Sequence, residues 1–441
     1  MWKACAGPLF LKTILSLRPM ETPGSIAFHT LGCKLNFSET STLARLVEKD
    51  GFIRRDFDEQ ADIYVINTCS VTENADKECR QLVRRIRRRS PESFVVITGC
   101  YAQLQPEAIA AMEGVDLVLG AAAKFNLTDH LKNLSRTGAA RICSCDIDEV
   151  QDFHTAFSQQ DRTRTFLKVQ DGCDYSCTFC TIPMARGRSR SQTIPKVLAQ
   201  VEQLAEAGVQ EIVLTGVNLG DFGISPDGKR TNQFSELVKA LDQQAAVPRF
   251  RISSIEPNLL HPEIIETVAA SSCFMPHFHI PLQSGSNTIL ASMRRRYRRE
   301  LYADRVAHIK SVMPHAAIGV DVIVGYPGED ATAFRETADF LQELDITYLH
   351  VFTYSERENT PAAEMTQVVP VAERNQRNKI LRHLSYRKQM LFQESFTGTT
   401  RKVLWEDHEK EGMMEGYTDN YIRVKTPYRS EWANRIMDWT I

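Results

Sequence analysis

Six short apolar runs recur along the middle of the chain, at residues 165–170, 211–214, 250–253, 277–280, 318–324 and 348–352. Each leads into a polar or glycine-bearing loop, and helical stretches such as 194–207 and 330–344 lie between them. Strand-length apolar runs that alternate with helices have few ways to bury themselves. Parallel strands need crossover connections, and helices then cover the outer face. Six such units predict an open (β/α)6 partial barrel rather than a closed eight-stranded one, with its chemistry at the C-terminal mouth.

The loop after the first run is residues 172–180, GCDYSCTFC, with Cys173, Cys177 and Cys180 in a C-x3-C-x2-C spacing. Three thiolates this close can hold three irons of a cubane cluster and leave the fourth iron open to a small molecule. Zinc is the competing ligand, but structural zinc sites use four ligands at paired short spacings. The nearest other cysteines, Cys143 and Cys145, lie beyond a polar stretch. The loops after the remaining runs hold Gly216 and Asn218, then Ser254 and Glu256, then Gln283, and then a GYPGE turn. Each alone reads as an ordinary turn. Gathered at one rim with Phe179, they mark a cofactor pocket whose candidate residues are Phe179, Gly216, Asn218, Ser254, Glu256 and Gln283.

A second α/β unit precedes the barrel. Strands are expected at 25–31, 62–68, 94–98 and 115–119, and helices at 38–50 and 74–89. Cys33, Cys69 and Cys100 each follow a different one of these strands. In open parallel sheets that edge is where ligands bind, so three loops can bring three thiolates together. The competing reading is three unrelated buried cysteines. Cys5, Cys79, Cys143, Cys145 and Cys273 lack the pattern and receive no role.

The resulting division is a disordered extension over 1–24, an open parallel α/β sheet over 25–135, and a linker over 136–164. A barrel over 165–395 and a small all-β module over 398–441 follow. The module is short for independent folding, and no strand is legible after Pro427. Its Trp405, Tyr417, Tyr421, Arg423 and Lys425 either stack on and grip RNA or form its own core and edge. In the N-terminal extension, the apolar residues 9–17 are broken by Lys12 with no small-residue cleavage site after them, and Met20 is an alternative start.

The chain has 441 residues, 43% of them hydrophobic and 24% charged, as ordinary multidomain globular proteins do. Eleven cysteines at this length are too sparse for a secreted disulfide framework, which favours metal ligation in a reducing compartment, the cytoplasm. No apolar run reaches the roughly 18 residues of a membrane span. The net charge of −2 conceals basic blocks, with six arginines in 80–89 and five in 293–299. Such blocks are either solvated helix faces or contacts for RNA phosphates.

The motifs GCKLNFSET, NTCSVTENADKE, TGCYAQ, GCDYSCTFCTIPMARGRSRS, LTGVNLGDFG, HIPLQSGSN and GYPGE occur in this order. Together they resemble the methylthiotransferase family of radical S-adenosylmethionine (SAM) enzymes. TLGCKLN and VINTCSVTENAD resemble most the branch acting on N6-threonylcarbamoyladenosine in tRNA. The resemblance implies an N-terminal methylthiotransferase domain, a radical SAM domain and a C-terminal TRAM domain. It also implies two [4Fe-4S] clusters, with Cys173, Cys177 and Cys180 holding the one that binds SAM and Cys33, Cys69 and Cys100 the auxiliary one. The implied reaction replaces an adenine C–H beside the anticodon by a methylthio group, through a 5′-deoxyadenosyl radical that side chains alone cannot generate. Implied partners are the tRNA anticodon stem–loop and an electron donor such as flavodoxin or ferredoxin. Arg186, Arg188 and Arg190, and the run Arg294, Arg295 and Arg296, are the expected phosphate contacts. A ribosomal-protein side chain, or another tRNA adenosine, is the alternative substrate.

Overall fold

The computed structural model describes residues 24–441 except 71–72, 133, 135–138, 160 and 225–227. The expected N-terminal extension, and the question of Met20, therefore fall almost entirely outside the described residues. The first sheet contains β1 (Ser25–Thr30), β2 (Ile53–Arg55), β3 (Ile63–Thr68), β4 (Phe94–Gly99), β5 (Leu117–Leu119) and β6 (Arg141–Cys143). All pairs are parallel, in the order β2-β1-β3-β4-β5-β6. Central β3 is buried along its whole length. Ile63 and Val65 enter one apolar cluster and Tyr64 and Ile66 another. Helices on both faces therefore make its sequence a continuous apolar run rather than an alternating one.

Helix α1 (Lys34–Lys49) starts directly on Cys33, four residues before the expected start. No side chain caps its first turn, so the sequence carries no capping signal there. α2 (Glu73–Arg89) follows β3, and the short α3 (Cys100–Leu104) follows β4.

The barrel is assembled from β7 (Ala156–Phe157), β8 (Thr165–Lys168), β9 (Gln170–Asp171), β10 (Arg190–Ser191), β11 (Glu211–Thr215), β12 (Arg249–Ile252), β13 (His277–His279), β14 (Ala317–Val324) and β15 (Tyr348–Thr353). The arcs β12-β11-β8-β7 and β13-β14-β15 meet through parallel bridges at Phe250–Phe274 and Ser254–His279. Six parallel strands thus form the open barrel, with antiparallel β7 on its edge. β9 and β10 form a two-residue antiparallel ladder that closes the cysteine loop. The stretch expected to be a linker instead supplies an edge strand to each sheet, β6 to the first and β7 to the barrel. Two or three residues are too few to show periodicity.

The C-terminal sheet is antiparallel, with β16 (Thr400–Trp405), β17 (Met413–Thr418), β18 (Arg423–Pro427) and β19 (Ile436–Thr440) in the order β18-β17-β16-β19. β19 is the strand that could not be read after Pro427. Trp405 is fully buried and meets Trp432 and Trp439 at ring-centroid distances of 5.7 and 5.0 Å. It is therefore a core residue and cannot stack on RNA. The module sits against the barrel through two buried arginines. Arg249 donates to the carbonyls of Lys402 and Tyr417, and Arg251 to those of Thr418 and Asp419, at 2.6–3.1 Å. Glu211 on β11 lies 2.7 Å from Arg251 and 3.7 Å from Arg249.

Candidate active site

The cysteine loop leaves the barrel at Gly172, where φ is +71°. A Cβ there would sit 1.9 Å from the carbonyl oxygen of Arg188, so only glycine fits. Each of the three loop sulfurs receives one N–H. The backbone of Tyr175 donates to Cys173 and that of Ile182 to Cys180, both at 3.4 Å, and the Arg295 guanidinium donates to Cys177 at 3.0 Å. Burial pushes all three thiols up, Cys180 to about 12, and the other cysteines' charges add to this for Cys173 and Cys180. Buried thiols in this condition ionise only when a cation binds them.

The other candidate cofactor residues face this loop in different ways. Phe179, Cys180, Gln283 and Asp321 line one cavity of about 220 Å³. The side-chain oxygens of Asn218 and Gln283 are buried without a partner among the described residues, as expected of groups that await a ligand. Gly216 permits close packing, since a Cβ would lie 2.8 Å from Gln170 Oε1. Ser254 makes the bridge to His279 and is half-buried. Glu256 is not a free acceptor: Arg295 takes one of its oxygens, while burial raises its pKa.

Gln170 escaped the sequence reading. Its amide donates to the carbonyls of Asp171 and Gly172 and to Ser189, at 2.7–3.0 Å. Its oxygen accepts from the Asn218 backbone at 2.9 Å. It thereby ties the cysteine loop to the loop after β11. A lone glutamine at a strand end gives no sequence signal for this.

The three N-terminal cysteines stand at the C-terminal edge of the first sheet. A Cβ on Gly32 would lie 2.5 Å from that of Cys69, so the loops after β1 and β3 touch. Burial raises the Cys100 thiol, the charge of Cys33 adds to this, and Arg186 opposes it.

Between the two edges lies a buried ion network. Glu39 of α1 takes Lys124 at 2.6 Å, Lys168 at 3.1 Å and Arg186 at 3.1 Å. Asp171 takes Arg186 at 2.8 Å, Arg190 at 3.1 Å and Lys168 at 3.3 Å. Burial alone would raise both carboxyls, but the surrounding cations hold both below the ordinary range. Four cations thus surround two carboxylates beside Cys33 and Cys100. The excess positive charge suits thiolate ligands. This placement corrects the expectation for Arg186 and Arg190, which are internal struts and not phosphate contacts. Arg188 is exposed. Arg295 is likewise internal, its side chain 4% exposed. Arg294 and Arg296 remain on the surface, Arg296 over the Tyr175 ring at 4.0 Å.

Three of the six arginines of α2 have carboxylate partners, while Arg84 and Arg88 are exposed. Arg87 pairs with Asp116 at 2.5 Å, Arg89 with Asp58 at 3.2 Å, and Arg85 also with Asp58. In the C-terminal module, Tyr417 and Tyr421 turn inward toward Arg164, at 4.2 and 5.7 Å. Arg423 and Lys425 are exposed beside Glu415.

Residues 25–120 match the family described as "Uncharacterized protein family UPF0004", and residues 167–341 match the radical SAM superfamily. The threonylcarbamoyladenosine tRNA methylthiotransferase MtaB of Bacillus subtilis (strain 168) is 41% identical over 410 residues, 91% of this chain and 90% of that protein. The tRNA-2-methylthio-N(6)-dimethylallyladenosine synthase of Natranaerobius thermophilus is 31% identical, over 93% of this chain and 92% of that one. Among solved structures, the radical SAM methyltransferase TsrM of Kitasatospora setae superposes with a TM-score of 0.57 at 15% identity, covering 78% of this chain and 77% of that one. That likeness concerns the fold alone. The chain belongs to the radical SAM methylthiotransferase family. It is an enzyme, and the family's chemistry draws on an iron–sulfur cluster and SAM.

Proposed function

We propose that the chain methylthiolates N6-threonylcarbamoyladenosine next to the anticodon of tRNA, giving the 2-methylthio derivative. The carrying observation is the pair of cysteine edges held by one ion network, Cys173, Cys177 and Cys180 on the barrel and Cys33, Cys69 and Cys100 on the first sheet. On this reading each triad holds one [4Fe-4S] cluster. Held by Cys173, Cys177 and Cys180, such a cluster would supply, when reduced, the one-electron chemistry that lets SAM act on an unactivated C–H.

The chain's own residues do the rest. The N–H donors on the three loop sulfurs, two backbone and one from Arg295, fix the loop and stabilise thiolate charge. Gln283 offers a buried acceptor for SAM beside Phe179 and Cys180, and Asn218 offers another in the loop after β11. Gln170 keeps the Asn218 loop in register with the cysteine loop. The buried network of Glu39 and Asp171 fixes the distance between the two edges. An adenine in an anticodon loop reaches such a site once splayed out of its stack.

The electron donor would be a small protein such as flavodoxin or ferredoxin, and the compartment the cytoplasm. No described helix is long and apolar enough to cross a membrane. Incubation of the reconstituted enzyme with undermodified tRNA and with ribosomal protein, followed by mass analysis, tests the substrate. A gain of one methylthio group on the tRNA alone supports the reading, and modification of the protein alone overturns it.

Exposed Arg294 and Arg296 are the remaining phosphate candidates near the loop. Arg294→Gln together with Arg296→Gln is expected to weaken tRNA binding and to flatten its log–log salt dependence by about one unit per lost contact. Titrations at several salt concentrations check this, and an unchanged slope would remove both residues from the interface.

A further inference from the structure

A cavity of about 260 Å³ lies where α1, the barrel lumen and the C-terminal module meet, and Cys33, Lys34, Arg162, Arg164, His277 and Tyr421 line it. Most charged groups around it are spoken for. Arg164 pairs with Glu406 at 2.9 Å, Arg251 with Glu211 at 2.7 Å, and Asp321 with His279 at 2.8 Å. Two cations are not. Among the described residues, no carboxylate or hydrogen-bond acceptor takes Lys34. Arg162 is exposed and rests on the Phe37 ring at 4.6 Å, with no acidic partner among the described residues. Lys34 is half-buried in the cavity wall, and the Asp321 carboxylate acts on it without forming an ion pair. An anion that enters the cavity would supply that pair.

We propose that Lys34, assisted by Arg162, forms a subsite for a carboxylate borne by the N6 substituent of the target adenosine. The inference rests on the tRNA reading above and deepens it. Lys34 directly follows Cys33, one of the three cysteines at the edge where the adenine carbon must be presented. In adenine, C2 and the N6 nitrogen flank N1 on the same edge of the ring. A base that turns C2 toward Cys33 therefore carries its N6 substituent along the same wall. A threonylcarbamoyl group ends in a carboxylate, which would complete the missing ion pair with charge-assisted hydrogen bonds. A dimethylallyl group is apolar and neutral. Seated here, it would leave Lys34 desolvated and unpaired. The subsite thus selects for the acidic substituent and against the apolar one.

The test uses the full-length, cluster-reconstituted enzyme and three anticodon stem–loop RNAs that differ only at the target adenosine. These carry N6-threonylcarbamoyladenosine, its uncharged methyl ester, or unmodified adenosine. The wild type is expected to bind the free acid at least about tenfold more tightly than the other two. Lys34→Met should abolish that preference and raise or leave unchanged the melting temperature, since Lys34 makes no ion pair among the described residues. An equal loss of affinity for all three RNAs would overturn the proposal, because Lys34 would then serve a backbone phosphate or the fold. So would a preserved preference in Lys34→Met, or weakened SAM binding with RNA preference intact. Methylthiolation of the threonylcarbamoyl RNA, assayed in parallel, separates the two readings. If the wild type modifies it while Lys34→Met keeps the preference, only the subsite fails. If the wild type neither modifies nor prefers it, the substrate assignment fails as well.

Discussion

Replacing Cys173, Cys177 and Cys180 together by alanine is expected to abolish SAM cleavage and methylthiolation while removing half of the bound iron. After anaerobic reconstitution the wild type should carry about eight irons per chain and the triple variant about four, if each triad holds its own [4Fe-4S] cluster. The structure gives a reason to expect independence. The three loop sulfurs draw their N–H donors from Tyr175, Ile182 and Arg295, none of which belongs to the N-terminal sheet. Loss of the loop's cluster should therefore leave Cys33, Cys69 and Cys100 competent. The complementary triple variant should also fall to about four irons, yet still cleave SAM on reduction. Iron and sulfide analysis with SAM cleavage assays gives the answer. A wild type with about four irons, all lost in the loop variant, would mean that the N-terminal cysteines hold none. The reaction would then be a simpler radical SAM reaction.

Glu39→Gln is expected to produce the largest loss of stability for the smallest change in shape. The Glu39 side chain is wholly buried and takes Lys124, Lys168 and Arg186. Removing its charge leaves Asp171 alone among four buried cations. Breaking a buried ionic network from one side costs about 3–5 kcal/mol, readable as a drop in denaturant midpoint without a change in slope. The pH dependence has a definite sign. Arg186, Lys124 and Lys168 outweigh burial and hold the folded-state pKa of Glu39 below its ordinary value of 4.5. Its contribution is complete above pH 4.5 and is lost as the pH falls below that toward the folded value. The wild type should lose stability in that window more steeply than Glu39→Gln. Equal acid limbs for the two proteins would show that Glu39 is not ionised in the fold.

These two sites were not equally legible. Cys173, Cys177 and Cys180 announce themselves by spacing, and Cys33, Cys69 and Cys100 by their places after apolar runs. Period and turn chemistry are local, so both the barrel's strand count and the parallel sense of the first sheet could be read, whereas the three-residue β2 and β6 of that sheet are too short to read. Glu39, Asp171 and Gln170 could not. They sit in α1 and at a strand end as ordinary polar residues, and only the packing of α1 against the barrel buries them. The same blindness explains the errors at Arg186, Arg190 and Arg295. A sequence shows that an arginine is present, but not whether a carboxylate or solvent meets it. Trp405 repeats the point for aromatics, since three tryptophans distant in sequence converge on one small core.

The manner in which the C-terminal sheet is fastened has a consequence for how such chains can be recombined. Arg249 and Arg251 reach across to its carbonyls, and Tyr421 from the same sheet walls the cavity that holds Lys34. The tail is therefore not an interchangeable RNA-binding handle. A chimera that exchanged it with that of a relative would satisfy the two buried guanidinium groups only where the new backbone set its carbonyls at the same places, and it would replace the Tyr421 wall of the cavity. What the barrel demands of the tail is thus a backbone position at the seam and a side chain at Tyr421.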